Sequence, residues 1–131
     1  MNLELIARRL ALLAGLMDFS TGVSLVFLPS FTLHLMWVPV PGLEALSFVR
    51  FVGAFVAAVG ASYLWALMRP IERLKVVFGA TNLFRLSAGA FTLLGVACGW
   101  LSPAWLLVTA TDFFLVAAQS WLIAKGACRD A

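Results

Sequence analysis

From Val76 to Leu101 the chain carries a single charged residue, Arg85, in the middle of an otherwise uncharged apolar run. A run of this length reads as a helix crossing a hydrocarbon layer, for which about 20 apolar residues suffice. An arginine at the centre of such a helix costs ~2.5–3.5 kcal/mol on insertion scales, so it is expected to face a partner inside the bundle. Whatever fold the chain adopts must therefore bring acceptors to Arg85. Two other apolar runs each hold a lone acid, Asp18 and Asp112.

Hydrophobic residues make up 63% of the 131-residue chain and charged residues 11%. A soluble domain carries about 25% charged residues, so lipid is the expected solvent for much of this surface. The expected fold is all-α, one membrane domain over 1–131, an integral membrane bundle of four transmembrane helices. The spans are expected near 9–28, 45–68, 76–98 and 103–124. Arg8 and Arg9 before an apolar stretch mimic a signal peptide. However, Asp18 sits inside that stretch, and Val26-Phe27-Leu28-Pro29 offers no small-x-small cleavage site, so it reads as a retained first span.

Pro29, Pro39, Pro41 and Gly42 break up the one substantial loop. Within it, Ser30 to Trp37 is apolar but too short to span. A short helix lying at the outer interface is expected, with Ser30 as N-cap and Trp37 as anchor. Pro103 suits the first position of the last span.

Charge tests the topology. Arg8 and Arg9, then Arg69, Arg73 and Lys75, then Lys125 and Arg129 all fall on one side of an alternating four-span path. The two remaining basic residues, Arg50 and Arg85, lie within spans. The positive-inside rule then makes the termini cytoplasmic in a bacterial inner membrane. The net charge of +3 is therefore topological. Nucleic acid is excluded as a partner, because the basic residues form no stripe interleaved with aromatics.

At 1.5 Å per residue from the basic helix ends, Asp18 lies ~14 Å deep, Arg85 ~15 Å, Asp112 ~20 Å and Arg50 ~28 Å. Asp18, Arg85 and Asp112 are thus expected to share a middle layer, with Arg85 paired to Asp18 or bridging both acids. Arg50 lies above them, snorkelling outward or reaching in to Asp112. Gly15, Asp18, Thr21 and Gly22 share a face of the first span, and Thr109, Asp112 and Gln119 a face of the fourth. Gly53, Ala57 and Ala61 form a small-xxx-small ladder expected to pack within the monomer.

No catalytic residue or metal ligand emerges. His34 with Met36 reads as amphipathic packing, and no Cys/His set has zinc spacing. No glycine-rich phosphate loop precedes a helix, and no Ser/His/Asp triad is credible. Cys98 and Cys128 are expected near opposite faces of the membrane, too far apart to bridge. The sequence requires no cofactor; a lipid, quinone or pigment would have to sit between spans beside the buried charges.

Several residues together carry a family likeness: the Pro-bounded first loop, Glu44 and Arg50-x-x-Gly53, Gly60-x-x-Tyr63, Arg69-Pro70 and the polar-marked third and fourth spans. In this layout the chain resembles the small four-helix bacterial membrane proteins of the DoxX-like kind. That resemblance implies an inner-membrane bundle and, for some relatives, companionship to quinone-linked redox systems. The functional expectation is a non-catalytic accessory or scaffold subunit, with the lipid bilayer and other membrane-protein subunits as partners. Two alternatives stand beside it: a small proton-coupled transporter using the Asp/Arg layer, and a lipid- or quinone-binding redox companion.

Overall fold

A computed structural model describes residues 1–129; Asp130 and Ala131, which close the expected domain, lie outside the described residues. The described chain is helical, without strands. Its elements are α1 (Leu3–Phe27), α2 (Pro29–Leu35), α3 (Leu43–Leu67), α4 (Glu72–Ala97), a 3-10 turn (Pro103–Trp105) and α5 (Leu106–Ala124). Four of these helices are long and apolar enough to cross a membrane.

Two helices begin before the apolar runs that announce them. α1 starts at Leu3 rather than residue 9, because the Asn2 side chain accepts from the Leu5 amide at 3.1 Å and Glu4 pairs with Arg8 at 3.0 Å. Capping and an i,i+4 ion pair extend the helix through a polar turn that hydropathy does not count. α4 similarly starts at Glu72.

α1 ends at Phe27, where the Leu28 amide closes on Ser24 O at 2.7 Å. Pro29 has no N–H to continue the ladder, and its fixed φ suits a first helical position. It accordingly opens α2, with Leu28 as the cap residue. The expectation of Ser30 as N-cap is corrected by that two-residue shift. α2 closes in a Schellman motif: the Trp37 amide donates to His34 O at 3.1 Å and the Val38 amide to Leu33 O at 2.9 Å.

The long helices pack as two antiparallel pairs, α1 with α3 and α4 with α5, and the pairs touch each other more sparingly. In α1 the buried positions Ala7, Ala11, Ala14, Asp18, Gly22 and Leu25 advance in steps of three and four. Gly15 and Gly22 of α1 face Gly60 and Gly53 of α3. A Cβ on Gly15 would stand 2.9 Å from Tyr63 Cβ, and one on Gly53 2.6 Å from Leu25 Cβ. On Gly22 or Gly60 it would run into the backbone of Ala57 or Phe19. Glycine is thus what lets the two backbones touch, as small residues do between helices in lipid.

The expected ladder of Gly53, Ala57 and Ala61 is corrected at its last member. Gly53 is buried and Ala57 half-buried, but Ala61 is exposed and Gly60 takes its place. Four-residue steps overshoot a turn by about 40° each, whereas a seven-residue step falls only about 20° short of two turns. The contacting face therefore follows Gly53 and Gly60.

Two apolar clusters lie along the bundle. The one at the end that carries the N-terminus and the α3–α4 turn, called the inner end, joins Ala11 of α1, Ala66 of α3, Leu74 and Phe78 of α4, Leu122 of α5 and Cys128. The outer one joins Leu25, Leu33 and Val38, with Val49 and Trp105 packed against them. The outward faces are apolar as well, with Leu13, Phe48, Phe55, Leu83, Phe114 and Trp121 exposed. The seven basic residues that flank the spans all lie beside the inner-end termini and turns of this antiparallel arrangement. Arg73 there stacks its guanidinium 4.8 Å from the Trp65 ring.

Two predictions follow from the packing. Gly22→Ala should destabilise the protein in detergent by ~1–3 kcal/mol through overpacking, while Ala61→Leu should stay within ~0.5 kcal/mol. Thermal melts of both variants compare them directly. Burial pushes the Cys128 thiol above its ordinary value of 9.0, with nearby Lys75 opposing. As pH rises past that value, an unfolded thiol ionises before the buried one does. The stabilising contribution is therefore intact below it and lost above it. Cys128→Ala should flatten the alkaline fall of the melting midpoint.

Candidate functional site

Between the two apolar clusters lies a polar layer built from all four long helices. α4 turns Leu74, Phe78, Thr81, Arg85, Gly89 and Thr92 inward. α5 does the same with Thr109, Asp112, Leu115 and Gln119. Asp18 enters from α1, one turn from Gly15 and one from Gly22. Tyr63 enters from α3, one turn beyond Gly60. The glycine contacts that draw α1 and α3 together thus also aim an acid and a phenol at the same point.

Arg85 is the hub, with 4% of its surface exposed. Its Nη2 donates to Asp18 Oδ2 at 2.5 Å, its Nη1 to Asp112 Oδ1 at 2.8 Å and its Nε to the Tyr63 hydroxyl at 3.2 Å. Each of its three nitrogens therefore has an acceptor, and the acceptors come from three different helices. The guanidinium carbon also lies 5.6 Å from the Tyr63 ring centroid. Planar fork geometry makes arginine suited to two carboxylates at once, where a lysine would offer a point charge.

Tyr63 carries the layer inward. Its hydroxyl also accepts from Gln119 Nε2 at 2.5 Å and donates to Thr81 Oγ1 at 2.9 Å. Thr81 lies 2.7 Å from the Val77 carbonyl and 3.1 Å from Gln119 Oε1. On the outer side the hydroxyls of Thr92 and Thr109 stand 2.6 Å apart, and Thr92 donates to Ala88 O at 3.0 Å. Gly89 beside them leaves room for the Phe113 ring, which a Cβ would meet at 2.6 Å. From Thr109 to Gln119 the polar column runs ~15 Å along α5.

The structure thus brings Asp18, Arg85 and Asp112 together and leaves Arg50 out. Arg50 is exposed, and its Nη1 donates to the Val26 carbonyl. The cause is the end of α1 at Phe27, which leaves Val26 among the last carbonyls of the helix without an intrahelical donor. A cation at that helix C-terminus also meets the favourable end of the dipole. Membership of Arg50 in the buried network is corrected accordingly. Tyr63 and Thr81 join the site without having been singled out as polar partners from the sequence. Their signals were the sole tyrosine of the chain, in an apolar span, and a threonine one turn before Arg85.

Formally the trio holds two negative charges and one positive. Asp18 and Asp112 are each 8% exposed, and their second oxygens accept no hydrogen bond from the described residues. Among the described residues no group of three or more His, Cys, Asp or Glu could hold a metal. Two clefts of about 490 and 290 Å³ lie at the outer end, against His34 and Trp37 and against Trp100 and Trp105. Neither touches the charged trio. Comparison with protein families, curated proteins and solved structures found no match to this chain.

The geometry sets the order of mutational effects. Arg85→Leu strands two buried carboxylates and should cost about 3–5 kcal/mol. Tyr63→Phe should cost about 1–3 kcal/mol, because Thr81 loses its donor and Arg85 and Gln119 lose their acceptor. The triple change of Asp18, Arg85 and Asp112 to leucine should recover much of the Arg85→Leu loss, since apolar replacement of a whole buried ion cluster is often neutral. Unfolding titrations in mixed micelles measure all three.

Proposed function

We propose that this chain is a non-catalytic scaffold or accessory subunit of a larger membrane protein complex, seated in a bacterial inner membrane. One observation carries the proposal. Every nitrogen of the Arg85 guanidinium is taken up by the protein's own helices, and neither described cleft reaches it. A charge cluster used this way fixes how helices assemble. The apolar outward faces leave ample surface for lipid and for neighbouring subunits. The resemblance in layout to DoxX-like proteins supports a companion role.

In this proposal the basic end of the bundle, with the N-terminus, the α3–α4 turn and the segment after α5, faces the cytoplasm. α2 lies in the outer interface, and Trp100 and Trp105 mark the same level. Purification from native membranes in mild detergent should isolate the chain with a larger membrane protein in fixed stoichiometry. A lone monomer would overturn the proposal.

A second function, that of a small proton-coupled transporter, draws on the formal negative excess of the trio and the two unbonded carboxylate oxygens. Ionisable groups inside membranes often mark ion paths. Against it, the polar column ends at the fully buried Phe78, Leu74 and Leu122 rather than at the inner surface. Proton flux into liposomes separates the two functions. The scaffold function expects none above a protein-free control, whereas flux abolished by Asp112→Asn with the fold intact would establish the transporter.

A further inference from the structure

Among the described residues, Trp37 is the one non-glycine residue with positive φ, at +62°. It occupies the position after the C-cap in the Schellman motif of α2, where glycine is the usual residue. Bulky side chains adopt this left-handed backbone rarely. The strain has no way to relax, because Leu33 and Val38, whose hydrogen bond closes the motif, are both buried in the outer apolar cluster. Nor does the side chain repay it by packing, since Trp37 is 87% exposed. The fold suits glycine here, yet the chain carries its largest side chain.

The surroundings say what that side chain meets. Leu28, Phe31 and Leu35 follow three- and four-residue spacing and are all exposed, on the side of α2 away from buried Leu33. No Asp, Glu, Lys or Arg lies between Phe19 and Leu43. The segment itself therefore offers no charge to steer or select a protein partner, and the Arg50 guanidinium beside its start is held by the Val26 carbonyl. A tryptophan beside such a face has an apolar body for lipid chains and an N–H for the carbonyl level above them.

We infer that Trp37, with Phe31 and Leu35, docks the outer end of the molecule into the glycerol–carbonyl layer of the bilayer, and that this contact is what a tryptophan in a glycine position serves. The inference rests on the proposal that α2 is interfacial. It adds that Trp37 is dispensable to the fold and specific to the membrane contact.

The full-length chain, with Trp65, Trp100, Trp105 and Trp121 changed to Phe, leaves Trp37 as the only tryptophan, excited selectively beyond the absorption of Tyr63. In phosphatidylcholine vesicles, lipids brominated near the headgroup should quench it about twofold more than lipids brominated near the chain end, with aqueous acrylamide weak. If that variant fails to fold, the same ratio is read as the difference between wild type and Trp37→Gly. In detergent, Trp37→Gly should melt at the wild-type temperature or above, because glycine relieves the left-handed backbone. Strong acrylamide quenching without bromolipid quenching would overturn the inference, as would a clear fall in the Trp37→Gly melting point. Phe31→Trp with Trp37→Phe, in the same background, tests α2 alone. Quenching by bromolipid there, but not at Trp37, would sink the docking role and leave α2 interfacial; quenching at neither would remove both.

Discussion

A guanidinium cannot be left in hydrocarbon, and the rest of this structure is arranged around that constraint. Arg85 sits in the middle of a helix long enough to cross a membrane, so its acceptors must come from other helices at the same depth. They do: Asp18 from α1, Tyr63 from α3 and Asp112 from α5. A bundle missing any of these helices would leave part of the fork unpaired in a medium with no water to replace it. Arg85 therefore specifies the assembly of four helices more sharply than apolar faces could, because apolar faces have no strong preference between lipid and one another.

Two kinds of contact divide the work. Within the α1–α3 pair, glycines at seven-residue spacing on both helices bring backbone against backbone, and the attraction is dispersion summed over many atoms. Between that pair and α4–α5 the backbone contacts are fewer, and directional polar bonds cross the gap. Arg85–Asp18, Arg85–Tyr63, Gln119–Tyr63 and Tyr63–Thr81 all link one pair to the other. Close packing thus sets the spacing inside a pair, and hydrogen bonding sets the register between pairs. Tyr63 serves both, since its Cβ lies against Gly15 while its hydroxyl reaches the polar layer.

Much of this was legible in the chain itself. Four apolar runs and the positions of their flanking charges carry the helix layout. Depth counting along those runs places Asp18, Arg85 and Asp112 in one layer because helical rise is constant. What escaped depends on information that depth does not hold. Tyr63 and Thr81 are uncharged, so nothing in an apolar run forces them to seek partners until a guanidinium is beside them. Arg50 answers to a carbonyl at the end of α1, Val26, which is freed where that helix stops and lies far from it in sequence. Gly60 displaces Ala61 because the contact follows seven-residue rather than four-residue spacing, which only the facing helix decides. The start of α1 follows from Asn2 and Glu4, whose capping lies beyond any measure of hydropathy.

The polar layer has one more property, which concerns where its protons sit. A guanidinium has no acceptor, and the Gln119 amide nitrogen has none either. Both must donate to the Tyr63 oxygen, which leaves that hydroxyl a single proton to send on to Thr81. Thr81, having received it, passes its own proton to the Val77 carbonyl, its nearest remaining acceptor. The bonds therefore run one way, from Arg85 through Tyr63 to Thr81, whose own proton has the Val77 carbonyl at 2.7 Å and Gln119 Oε1 at 3.1 Å to choose between. The oxygen ends of those dipoles face the cation, so their ordering itself stabilises the charge. The Arg85 and Gln119 donors thus fix the orientation of the Tyr63 hydroxyl at the place where the four helices meet.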